Sequence, residues 1–94
     1  MTIIIITEEN HGTIGAAVSI KEAVKWLIES GWIWGTEDYD GKYNKELGKW
    51  EYTTPIERYG EKWKEVLPER SEKEIEEFLD GVFYFGETEL HGAD

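Results

Sequence analysis

The sequence predicts an α+β fold, a small antiparallel sheet with helices packed on one face. Three observations predict it. Four consecutive isoleucines near the start read as a strand. Three segments open on Ser or Thr with Glu three residues later, the pattern with which capped helices begin. An aromatic-rich stretch after those helices, Val82–Leu90, returns to strand character. The element order is β-β-α-irregular-α-α-β, and residues 1–94 form one domain.

Thr2–Thr7 is short, β-branched and bounded by polar residues, so it is expected to be a central strand buried on both faces. Glu8–Gly12 reads as a turn in which Asn10 and Gly12 tolerate positive φ. Thr13–Val18 is then a second strand, and the two make a hairpin. Ser19-Ile20-Lys21-Glu22 caps a helix whose apolar face is Ile20, Ala23, Val24, Leu27 and Ile28. Gly31 is placed to end it in the left-handed conformation.

Trp32–Tyr52 is an irregular excursion rich in Trp, Tyr, Gly and charge. Asp40-Gly41 is a turn signal within it, and a short hairpin with a short strand near Trp50–Tyr52 is expected. Thr54-Pro55-Ile56-Glu57 opens a second helix, with Pro at its first position, where the missing N–H costs nothing. Ile56, Tyr59, Trp63, Val66 and Leu67 are its apolar face, and Pro68 stops it. Ser71-Glu72-Lys73-Glu74 caps a third helix that buries Ile75, Phe78 and Leu79 and ends at Gly81. The last strand is expected beside the first, which would place Thr2–Thr7 in the middle.

Composition narrows the function classes. Ten Lys and Arg stand against 21 Asp and Glu, a net charge of −11. Direct binding to nucleic acid is disfavoured, because phosphates must be neutralised by Lys and Arg. Anionic membranes are disfavoured for the same reason. A basic protein surface suits the charge. The chain has no cysteine, so disulfides, thiolate metal sites and a Cys nucleophile are excluded. No export signal or membrane-length apolar run is read, and a cytoplasmic location in a host cell is expected. Five Trp, five Tyr and three Phe argue against disorder.

The catalytic candidates are thin. Glu8-Glu9-Asn10-His11-Gly12 holds a His among carboxylates, which is acid–base or metal-ligand chemistry, but it reads more simply as a polar hairpin turn. His91 could join His11 across neighbouring strands, though no spacing signature supports a metal pair. Thr36–Leu47 resembles a calcium loop at Asp38, Asp40 and Gly41, yet the bidentate Glu is out of register, with Leu47 at position twelve and Glu46 one place early. It is read as an acidic turn. Gly12-Thr13-Ile14-Gly15 lies between strands and lacks the helix that a phosphate loop needs. No catalytic residue, metal or cofactor is expected.

The acidic surface is the stronger candidate. Residues 69–94 hold nine carboxylates against Arg70 and Lys73, which is −7 of the total −11. Glu72, Glu74, Glu76, Glu77 and Asp80 crowd the third helix. Glu57, Glu61 and Glu65 are spaced i, i+4, i+8 on the second, where like charges destabilise a helix by a few tenths of a kcal/mol per pair. Such rows imitate a phosphate backbone and steer a basic groove onto the protein. A plain solvated helix face is the simpler alternative. Trp34, Tyr39 and Tyr43 are expected to be exposed anchors, and about half of the rings in the excursion to be core.

The run Ile5–Ala17, the segment Trp26–Trp32 and Tyr59-Gly60-Glu61-Lys62-Trp63 resemble small acidic proteins of phages and mobile elements of low-GC Gram-positive bacteria. The resemblance spans most of the chain in layout, and its motifs are structural, so it carries over no catalytic residue. It implies a setting: an accessory protein of a size class that includes inhibitors of host defence nucleases, among them anti-CRISPR proteins that occupy a DNA-binding groove. The expected function is therefore a non-enzymatic acidic binding protein, a phage-encoded inhibitor acting as a DNA mimic on a basic nucleic-acid-binding effector or nuclease of the host. A structural or assembly protein, or a homodimer burying residues 32–52, is the second expectation. A metal-dependent enzyme around His11 is the third.

Overall fold

The computed structural model describes residues 1–89. It is an α+β fold of five strands and four α-helices with a short 3-10 turn. Strands β1 (Thr2–Glu8), β2 (Gly12–Ala17) and β5 (Phe83–Glu89) form an antiparallel sheet in the order β2-β1-β5. Thr2–Thr7 is indeed the centre, flanked by its hairpin partner and by the strand that closes the described chain. Leu90, and with it the end expected for that strand, lies outside the described residues, as do His91 and Asp94.

Helices cover one face of this sheet. Ile4 and Ile6 of β1 are buried beneath them, whereas Ile3 and Ile5, pointing to the other face, are half-buried. The expectation of burial on both faces is corrected: among the described residues no element packs over the second face closely enough to bury it. An extra residue in β2 shifts the register between Ile6 and Thr7. Ile14 is the extra residue of that bulge, and it packs half-buried against the core, as does Ala17. Of the two turn residues, Gly12 takes positive φ (76°) and Asn10 does not.

Helix α1 (Ile20–Glu29) buries Ile20, Ala23, Val24 and Leu27 on β1 and β2. Ser19 Oγ accepts from the Glu22 N–H at 3.2 Å, and Gly31 (φ 77°) ends the segment. The expected second helix is broken. Thr54 caps α2 (Pro55–Tyr59), accepting from the Glu57 N–H at 3.1 Å. Gly60, at φ 82° and ψ −171°, then stops it, its N–H donating to Ile56 O. The chain resumes as α3 (Trp63–Val66) and a 3-10 turn, Leu67–Glu69. The gain is burial: re-aimed by Gly60, Trp63 and Leu67 enter the core, while Ile56, assigned to the same stripe, stays 41% exposed. Helix α4 (Glu72–Leu79) starts at Ser71, whose Oγ accepts from the Glu74 N–H at 3.2 Å. It buries Ile75, Phe78 and Leu79 and is followed by Gly81 at φ 87°.

The irregular excursion contains a second, two-stranded sheet. Strands β3 (Tyr39–Asn44) and β4 (Lys49–Thr53) pair antiparallel. Asp40-Gly41 is not the turn. It is a bulge within β3, with Asp40 itself in the left-handed region at φ 55°. The turn lies at residues 45–48 and ends on Gly48 (φ 63°). From Lys45 to Tyr52 every residue is exposed, so the hairpin stands off the core as an arm. The radius of gyration, 14.6 Å, exceeds the roughly 12 Å of a compact chain of this size, as such an arm requires.

Candidate interaction surface

Helix α4 sorts its side chains by spacing. Ile75, Phe78 and Leu79 point inward at i, i+3 and i+4, which turns Glu76, Glu77 and Asp80 to solvent, and Glu72, the first residue of the helix, is exposed as well. Among the described residues no salt bridge reaches these four. Glu74 differs from them in being engaged within the chain. Half-buried, it accepts two bonds from Arg70 (Nε 2.9 Å, Nη2 3.1 Å) and one from the Tyr59 hydroxyl at 2.8 Å. Arg70 and then Tyr59 hold its carboxyl below the ordinary range, and through these bonds Glu74 ties α4 to α2. Burial, reinforced by Glu74, pushes the Tyr59 phenol up to about 12.

The expected row Glu57, Glu61, Glu65 is not formed. Gly60 divides it: Glu57 sits in the first turn of α2 and bonds the Thr54 hydroxyl at 3.0 Å, Glu61 lies in the turn, and Glu65 belongs to α3. All three are exposed, but no single helix face aligns them, so the repulsion expected along one helix is not incurred.

Of the three expected anchors, Trp34 and Tyr43 are exposed and Tyr39 is not. Tyr39 is 2% exposed, its ring 5.4 Å from that of Phe78 and its hydroxyl donating to Glu37 at 2.6 Å. Burial raises its phenol far above the ordinary value. The strand reaches back to the core at this point, and a large ring is the side chain that fills the space. On the hairpin the exposed rings are Tyr43, Trp50 and Tyr52, at 52, 58 and 55%. Tyr43 pairs opposite Trp50, the centroids 5.6 Å apart edge to face, and Tyr52 follows two residues on, so the three share one side of the hairpin. Trp50 and Tyr52 were legible as an alternation, Lys49-Trp50-Glu51-Tyr52, that puts polar and aromatic residues on opposite faces.

Among the clefts at the base of the hairpin, two also reach α4 or the turn that follows it. One, of about 480 Å³, lies toward α4 and mixes signs: Arg58, Lys42 and Lys73 with Asp40, Glu76 and Glu77. The other, of about 420 Å³, is bordered by Glu9, Asp38, Asp40 and Asp80 with Trp50 and Tyr52, and no Lys or Arg lines it. Asp80 borders both. Asp40 is already engaged by Arg58 and Lys42.

Around His11 the structure places a small cluster. Glu8, only 7% exposed, accepts from the Asn10 N–H at 3.2 Å and bonds His11 Nδ1. That bond holds its carboxyl below the ordinary range, against the opposing effect of burial. The imidazole stands edge-on to Trp32 at 5.3 Å, and Trp32 meets Phe83 at 6.5 Å. These contacts fasten the β1–β2 turn to the core. Among the described residues no three His, Asp or Glu side chains are grouped to hold a metal ion. No helix among them is long and apolar enough to cross a membrane.

No family model, curated protein or solved structure matches the chain.

Proposed function

We propose that the protein is a non-enzymatic binding protein that sets its acidic face on a basic, nucleic-acid-binding surface of a partner protein, as an inhibitor in the manner of a DNA mimic. The observation that carries this reading is the run of exposed carboxylates on α4, Glu72, Glu76, Glu77 and Asp80, which outnumber the neighbouring Lys73 and are engaged by no ion pair among the described residues. A net charge of −11 adds long-range attraction to a basic partner. The proposed setting is a phage or mobile element and the proposed partner a host nuclease or effector.

The test is capture of a basic partner from a host lysate at low and high salt, using the native chain and the E72Q/E76Q/E77Q variant. Exposed charges are screened beyond about 8 Å at physiological ionic strength, so retention should fall steeply with salt. The triple variant should bind at least tenfold more weakly. Retention unchanged by salt and by the three amides would sink the reading.

A second reading is self-association through the hairpin. The exposed rings Tyr43, Trp50 and Tyr52 favour it, since aromatic residues anchor interfaces. Sedimentation at micromolar concentration separates the two: a dimer abolished by Trp50→Ala supports self-association.

A further inference from the structure

We infer that the cleft between the aromatic hairpin and the α4–β5 turn receives an arginine side chain of the partner. This rests on the reading of the protein as a binder of basic surfaces and names the contact that would give it specificity.

The rings come first. Trp50 and Tyr52 border the cleft and are more than half exposed, so packing of the core does not account for them. Tyr52 is laid over the strand backbone: a Cβ on Gly41 would come within 2.7 Å of its Cε1. Glycine at the bulge is what admits the ring there. Its φ is not positive, so close approach, and not turn geometry, is the reason for this glycine.

The charges come second, and from three separate parts of the chain. Glu9 follows β1 and is held by its N–H donating to Val82 O at 2.9 Å. Asp38 precedes β3, and Asp80 caps the C-terminal end of α4. None of the three is in a salt bridge among the described residues, and the cleft lining holds no cation. Asp40 is spent on Arg58. A site with aromatic walls and unneutralised carboxylates complements a planar cation, which stacks on a ring face while its N–H groups donate to carboxylates. An anion is repelled, and a neutral apolar group leaves the carboxylates without a partner. The volume, about 420 Å³, is within the range of ligand clefts.

The experiment is an NMR titration of the whole chain with Nα-acetyl-arginine methylamide, the neutral citrulline analogue serving as control. The arginine probe should shift the Trp50 indole N–H and the Gly81 amide saturably, and the citrulline probe should not. Glu9→Gln with Asp38→Asn should weaken the arginine response at least fivefold. Both positions are exposed and both changes nearly isosteric, so the fold is retained. Trp50→Ala, read at Gly81, should weaken it comparably, and E72Q/E76Q/E77Q should change it less than twofold. Absence of a saturable shift, an equal response to citrulline, or an unchanged affinity in the Glu9/Asp38 variant overturns the inference. Because E72Q/E76Q/E77Q leaves Glu9 and Asp38 intact, loss of capture by that variant with no arginine response rejects the cleft and keeps the acidic-face reading.

Discussion

Arg58 donates to the carboxylate of Asp40, the one described non-glycine residue with positive φ. The bond joins α2 to the bulge of β3, and the guanidinium also lies over the rings of Tyr59 and Phe78, 5.9 and 5.6 Å from their centroids. Together with the buried Tyr39, Arg58 thus secures the base of an arm whose outer residues are exposed. Arg58→Met keeps the alkyl stem and removes the charge. It should lower stability by about 0.5–2 kcal/mol, since the ion pair is partly exposed. Amide exchange at residues 39–42 should quicken more than exchange in β1. Equal protection in both variants would show that the hairpin base is held by other contacts.

Gly35 is packed where no side chain fits. A Cβ there would lie 2.7 Å from both Ile56 Cδ1 and Trp63 Nε1. Ile56 is partly free to move, but Trp63 is buried. Gly35→Ala should therefore destabilise by about 1–3 kcal/mol, as overpacking does. Urea unfolding should show a lower midpoint at unchanged slope.

The Tyr59–Glu74 bond links α2 to α4. Tyr59→Phe removes a hydrogen bond to a charged acceptor and should cost about 1–2 kcal/mol near neutral pH. The alkaline behaviour has a definite sign. The folded phenol is raised from 10 to about 12, so its stabilisation is complete below pH 10 and fades as pH rises toward 12. The difference between the native chain and Tyr59→Phe, measured by thermal unfolding, should shrink over that interval.

Glu8 sets an acid dependence of the opposite sense. Its folded carboxyl is lowered from 4.5, chiefly by the bond to His11. The associated stability is present above pH 4.5 and is lost as pH falls through the lowered folded value. Glu74, lowered by Arg70 and Tyr59, acts in the same direction. Glu8→Gln should flatten the decline of melting temperature between pH 5 and pH 3, and Glu8→Gln with Glu74→Gln should flatten it further. A decline as steep as that of the native chain would place the acid sensitivity elsewhere.

Much of the architecture was legible in the sequence because its signals act over a few residues. Ser19, Thr54 and Ser71 each accept the N–H three residues on, as their spacing to Glu predicts. The isoleucine run is the central strand, since a β-branched segment gains most where neighbours flank it on both sides. The exposed acidic side of α4 follows from the positions of Ile75, Phe78 and Leu79.

Other features depend on residues far apart in the chain. The pattern from Ile56 to Leu67 read as one helix, and only the depth at which Trp63 must be buried explains why the chain breaks at Gly60. Tyr39 and Tyr43 are chemically alike four residues apart, yet one fills the space beside Phe78 and the other stands in solvent. Glu9, Asp38 and Asp80 meet around Trp50 and Tyr52 only once β1, β3 and α4 have been packed together. What the sequence determined alone was where the capped helices α1, α2 and α4 begin, which face α1 and α4 bury and how strongly acidic the whole is, because capping, periodicity and charge are local or additive. Which rings stay exposed and which carboxylates share a cleft was decided by tertiary packing, because both depend on what other segments leave uncovered.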